Sequence, residues 1–276
     1  MQVEQRVWTA TRGWQGDASL GEEAQLVLWF GGPGALASLD VQGDLSAAYP
    51  NALIAGCSTG GEIAGDEVLD DSVVSVACRF EKVALAHAEA TIAGPEQSEA
   101  VGEALGTGLP ATVDGKGLKG TFVLADGTLT NGSALIKGFR DKIGEEVTLT
   151  GGLAGDGPNF QKTLVGCNAA PRQGGVVAIG FYGDAFRLGW GSFGGWETFG
   201  PERSVTKSKD NVLFELDGEP ALGLYKRYLG EEAKGLPGSA LLFPLTIRPA
   251  DDAKATLVRT IVGVDEGSQS MTFAGD

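Results

Sequence analysis

Residues 53–63 read LIAGCSTGGEI, a short apolar run that stops in a glycine-rich loop. Leu53, Ile54 and Ala55 have the character of a buried strand end, and Gly56, Gly60 and Gly61 free the backbone to turn and to approach a neighbour closely. Between and beside these glycines stand Cys57, Ser58, Thr59 and Glu62. A thiol, two hydroxyls, a carboxylate and exposed backbone N–H groups within so few positions suit the grip of a small polar molecule.

Upstream, AQLVLWF (24–30) is a second apolar run, halted by Gly31, Gly32, Pro33 and Gly34, and Ala35, Leu36 and Leu39 then mark a helix. Downstream, SVVSVACRF (72–80) and VALAHAEATI (83–92) are strand-like and separated by Glu81-Lys82, which predicts a hairpin. A helix is expected over Glu96–Leu105. The same order then recurs. GTFVLADG (120–127) answers the first strand, and SALIKGFRDKIG (133–144) is an amphipathic helix with Leu135, Ile136, Phe139 and Ile143 on one stripe. VTLTGGLAGDG (147–157) answers the opening stretch, while GGVVAIGFYG (174–183) with Phe186–Trp196 predicts a second hairpin. An insertion over Gln161–Arg172 accounts for the drift between copies.

The expectation is an α/β protein: a duplicated strand-helix-strand-hairpin unit with mixed sheets (about 25–110 and 120–200) inside a domain spanning 1–215, followed by a partial second α/β domain over 216–276. In that last part VLFELDG, a helix opened by Pro220, LLFPLTI and TLVRTIVGV are the elements, and MTFAGD reads as half of a hairpin. The duplication predicts that the two glycine loops lie together with a pocket between them.

Composition narrows the function. The chain has 276 residues, 42% hydrophobic and 21% charged, and no apolar run of the roughly 18 residues that span a bilayer. Its start, MQVEQRVWTATRGWQG, lacks the pattern of a secretory signal. A net charge of -15 argues against nucleic acid and anionic membrane as partners. Cys57, Cys78 and Cys167 form no CxxC pair and no His/Cys cluster in sequence, so no zinc site is expected, and an odd cysteine count fits a reducing cytoplasm.

Further candidates for ligand contact are Gly152 and Asp156 in the second loop, Asp126 at the end of the third strand, Trp190 with Phe193 and Trp196 as aromatic walls or core, and Arg248 as a fork for a carboxylate or a salt-bridge partner. TLTNGS (128–133) offers a helix cap or an anion seat. A Cys57 nucleophile lacks an evident base, because His87 is the one histidine and lies in a strand; GCSTGG is also not the GxSxG of a nucleophile elbow.

Taken together, GCSTGGEI, GGLAGDG, VTKSKDNVLFELDGEPALGLYKRYLG (205–230) and VRTIVGVDEGSQSMTFAGD (258–276) resemble the FIST proteins. The resemblance covers nearly the whole chain, with about 25–215 similar to the family's N-terminal domain and the remainder to the first part of its C-terminal domain. It implies a non-enzymatic sensory input module that binds a small ligand, with amino acids or their relatives suggested, and that is read by a separate signalling partner. Some members bind haem and respond to nitric oxide, which here would rest on His87 alone; otherwise no cofactor or metal is implied. Members normally continue past the last residue of this chain, which implies a fragment or a truncated form. The rival from another class is an enzyme using Cys57, Ser58 or paired carboxylates such as Glu62 and Asp156.

Overall fold

The computed structural model describes residues 1–191, 196–250, 252 and 256–274. In chain order the first unit holds β1 (Gln2–Thr9), β2 (Gly13–Gln15), β3 (Leu26–Gly31), α1 (Pro33–Ser38), α2 (Val41–Ala48), β4 (Leu53–Ser58), β5 (Glu62–Ala64), β6 (Glu67–Leu69), β7 (Ser72–Arg79), β8 (Ala84–Thr91), α3 (Ser98–Gly108), β9 (Thr112–Val113), β10 (Lys116–Ala125), α4 (Gly132–Ile143), β11 (Thr148–Leu153), β12 (Val165–Cys167) and β13 (Gly175–Tyr182). It closes at Trp190, and residues 191–276 form a second compact unit.

Two mixed sheets carry the first unit, one ordered β12-β4-β3-β7-β1-β2 and the other β11-β10-β13-β8, with β9 attached to β10. In each, a central strand pairs parallel with the strand that follows its helix and antiparallel with a third: β3 with β4 and β7, β10 with β11 and β13. The fourth member is β1 in one sheet and β8 in the other. The duplication is therefore present, with a different boundary. β7 and β8 do not form the expected hairpin: the turn at Glu81-Lys82 carries the chain from one sheet to the other, and β8 opens the second copy as β1 opens the first. Nor is there a strand over Phe186–Trp190, where Phe186 stacks on Phe181 at 4.6 Å between ring centroids; Phe193 lies outside the described residues.

Side-chain alternation builds four layers. Leu26, Ala55, Cys57, Leu124, Val177 and Ile179 point between the sheets and make the central core. Val27, Trp29 and Ile54 point outward under Val41 and Leu45 of α2, and Val123, Ala125 and Ala178 point outward under Leu105 of α3 and Leu135 and Phe139 of α4. Asn131 caps α4 by accepting the Ala134 N–H at 3.1 Å, as the TLTNGS segment predicts.

Register identifies the residue the two glycine loops share. Trp29 stands opposite Gly56 as Val123 stands opposite Gly151, so the two glycines occupy equivalent places. A Cβ on Gly56 would fall 2.0 Å from the Trp29 carbonyl oxygen, and one on Gly151 would fall 1.9 Å from that of Val123. Only glycine lets these parallel strands approach so closely. Cys57 corresponds to Gly152, and no thiol recurs.

The second unit adds β14 (Val205–Lys209), β15 (Val212–Leu216), β16 (Glu219–Pro220), α5 (Ala221–Leu229), β17 (Leu245–Ile247), β18 (Leu257–Arg259), β19 (Ile261–Asp265) and β20 (Ser270–Phe273). Its main sheet runs β14-β15-β20-β19, with β16 beside β15, and β17 pairs β18 separately. Leu213, Leu222, Tyr225, Ile261, Met271 and Phe273 form its core. The stretch TLVRTIVGV divides into β18 and β19, and residues 238–242 are a 3-10 helix instead of the start of a strand. Among the described residues no helix is long and apolar enough to cross a membrane.

Candidate functional site

The two loops do meet, by direct backbone contact. Gly155 donates its N–H to the Ser58 carbonyl at 2.9 Å, and Gly60 lies against Gly157, whose Cα is 3.3 Å from where a Gly60 side chain would begin. The Ser58 hydroxyl is buried and accepts the Leu164 N–H at 2.8 Å. Thr59, half-buried, donates its hydroxyl to the buried Glu62 at 2.7 Å, and the other Glu62 oxygen accepts the Ser72 hydroxyl at 2.7 Å. Gly61 sits between these partners, beside Val68.

The remaining predicted carboxylates are also engaged by their own surroundings. Asp156 accepts backbone N–H groups from Phe160, Gln161 and Lys162 at 2.8–2.9 Å, which folds its loop around the carboxylate. Asp126 accepts the N–H and hydroxyl of Thr128 and the N–H of Leu129 on one oxygen, and the N–H of Gly174 on the other, at 2.8–3.0 Å. Burial pushes its pKa up, but the donors at Gly174, Thr128 and Thr163 outweigh that and hold it below the usual carboxylate value. Cys57 is buried in the inter-sheet core, where desolvation pushes its thiol up to about 12. A thiol so placed is not an activated nucleophile at neutral pH. Arg248, in the second unit, forks onto Glu202 through Nε at 3.0 Å and Nη2 at 2.6 Å. Trp196 of that unit is half exposed.

Open space lies elsewhere. A cleft of about 440 Å³ runs between α4 and the edge strand β11, walled by Leu135, Ile136, Leu149, Leu153 and Trp190 and floored by Gly151 and Gly152. Gly152 and Trp190 thus line one cleft; Trp190 is 73% exposed, so it stands as a rim and not as core. No atom lies within 4 Å of where a Gly152 side chain would begin, so this glycine leaves the cleft open. Arg140 lines the same cleft. Its Nη1 donates to the carbonyls of Val147 at 2.5 Å and Gly144 at 3.3 Å, and it has no ion-pair partner among the described residues. Arg140 is not evident from sequence because it follows Phe139 on a helix whose stripe reads as core. In the fold Ile136, on that stripe, is only half-buried, which marks where the helix faces the cleft.

A second cleft, about 510 Å³, is lined by Asn51, Asp114, Lys116 and Asn168 together with His87. Leu53, Phe80, Val83 and Leu85 add apolar wall to the same cleft, and the His87 imidazole lies 3.7 Å from Glu89.

A model of the FIST N domain matches residues 25–219, and one of the FIST C domain matches residues 221–276. A comparison with curated proteins finds no match. The boundary between the two models falls inside the second unit, whose sheet joins β15 to β20 across it. Matched over most of its length by these two models, the chain belongs to the FIST family of sensory domains in signal transduction.

Proposed function

We propose that the cleft between α4 and β11 is the sensory site, and that it takes a small organic anion with an apolar portion, such as an amino acid with a hydrophobic side chain or a related carboxylate. The observation that carries this is Arg140: a guanidinium facing an apolar cleft with no ion-pairing carboxylate among the described residues. Such a fork recognises a carboxylate in two-point fashion, and the leucine and isoleucine walls take the side chain. The cleft volume falls in the ~300–1,000 Å³ range of small-molecule sites. Binding at a sheet edge beside a helix supplies the differential contact that signalling needs, because a shift of α4 against β11 changes both walls at once.

A thermal-shift and calorimetric titration with hydrophobic amino acids and their deaminated carboxylate relatives tests this. Binding is expected to raise the unfolding midpoint. R140Q should weaken it by about 10–150-fold, the worth of one charge-assisted pair at ~1.5–3 kcal/mol. Binding that survives R140Q unchanged would place the ligand elsewhere.

A further inference from the structure

We propose that His87, Glu89 and Cys167 form a binding site for a thiophilic divalent cation of the zinc type. One ligand atom from each, the imidazole nitrogen, a carboxylate oxygen and the thiol sulfur, lie within 4.8 Å of one another. Strand geometry produces the meeting. His87 and Glu89 are two apart on β8, so they share the face that Leu85 turns into the layer between the sheets. β8 is the last strand of one sheet and β12 the last of the other, and Cys167 on β12 is buried in that same layer. The cluster therefore sits where two sheet edges close upon each other, 80 positions apart in chain numbering between His87 and Cys167. No spacing motif could announce it.

Chemistry selects the ion. A thiolate, an imidazole and a carboxylate suit zinc and its neighbours and exclude magnesium and calcium, which take oxygen ligands. Zinc holds such groups at about 2.0–2.3 Å in a tetrahedron. The His87 Nε2 and Glu89 Oε1 are already 3.7 Å apart, close to a tetrahedral edge of that size. Arg172 approaches the other Glu89 oxygen at 3.8 Å, which orients the carboxylate and leaves Oε1 directed at His87. On binding, the Cys167 S–H loses its proton to solvent as the sulfur–metal bond forms, so the thiolate and the carboxylate balance the dication. Three protein ligands leave a fourth position, and His87 lines the 510 Å³ cleft, which gives that position a path to solvent. The site is separate from the α4–β11 cleft and does not depend on the ligand proposed there.

The test uses the full chain, stripped with chelator, kept reduced and titrated with Co²⁺ and then Zn²⁺. The expected result is a thiolate-to-cobalt charge-transfer band with the d–d bands of four-coordinate cobalt, saturating at one equivalent and displaced by Zn²⁺. H87A and E89Q, at partly exposed positions that leave the fold intact by circular dichroism, should each weaken cobalt binding at least tenfold, and C167S should abolish the charge-transfer band. The absence of that band in the folded parent protein overturns the proposal. So does a band that persists unchanged in both H87A and E89Q, since the metal would then be bound by other groups.

Discussion

Replacing Asp126 with asparagine separates a structural carboxylate from a ligand-binding one. The substitution keeps the shape and removes the charge. With its oxygen kept towards Thr128 and Leu129, the asparagine retains three bonds, each weakened by roughly 0.5–1 kcal/mol on losing its ionic character. Its NH2 group then faces the Gly174 N–H, donor against donor, and that buried N–H loses its carboxylate acceptor at a cost of about 1–3 kcal/mol. The sum is about 2.5–6 kcal/mol, a large part of the 5–15 kcal/mol typical of a domain. Urea unfolding followed by tryptophan emission reads it, because Trp8 and Trp29 are buried in the first unit. The pH dependence has a defined sign. The folded-state pKa of Asp126 is lowered, so its stabilisation is complete above the unfolded value of about 3.9 and is lost as pH falls through the folded one. The gap between parent and D126N should therefore narrow below about pH 4. A variant within about 0.5 kcal/mol of the parent at pH 7, the scatter of neutral surface changes, would refute the structural role and return Asp126 to the list of groups held ready for a ligand.

Adjacent glycines should behave oppositely: G151A, whose new methyl meets the Val123 carbonyl at 1.9 Å, should cost about 3 kcal/mol or more, whereas G152A, facing open space, should stay within about 0.5. Equal effects in denaturant titrations would contradict the register between β10 and β11. All three cysteines are buried, so an aromatic disulfide reagent at pH 8 should modify none of them in the folded protein and all of them in urea; rapid native reaction at Cys57 would contradict its placement. Because Cys57 and Cys167 are both pushed up to about 12, their contribution to stability is complete below the unfolded value of ~8.5 and is lost as pH rises towards 12, which unfolding midpoints measured between pH 8 and 11 should register.

Much of the fold is legible in the amino-acid order because its strands are apolar runs ended by glycine. AQLVLWF, LIAGCS, GTFVLA and GGVVAIGFY all become strands, and the stripe of α4 becomes its buried face. The hairpin assigned to residues 72–92 fails for a physical reason. Alternation fixes which residues share a face but not which sheet a strand joins, and a two-residue turn serves a crossover between layers as well as a hairpin. β12 escapes notice because it is a three-residue strand within a long connection. At the site level, polar residues in glycine loops look like ligand contacts. Ser58, Glu62, Asp126 and Asp156 instead satisfy the backbone donors that tight loops leave unpaired. The cleft residues Ile136, Leu149 and Leu153 are indistinguishable from core by pattern, and only the three-dimensional edge at β11 leaves them part-exposed.

That edge has a counterpart. Beside β4, the place equivalent to the open flank of β11 is filled by β12, a strand drawn from the connection between β11 and β13 of the other copy. The two copies are thus tied as a lap joint is tied: the second lends a strand to the first and keeps its own flank bare. Neither half is a self-sufficient module. A chain divided near residue 81 would leave the first sheet with the backbone groups of β4 unpaired along one side, an open edge ready to pair with another strand.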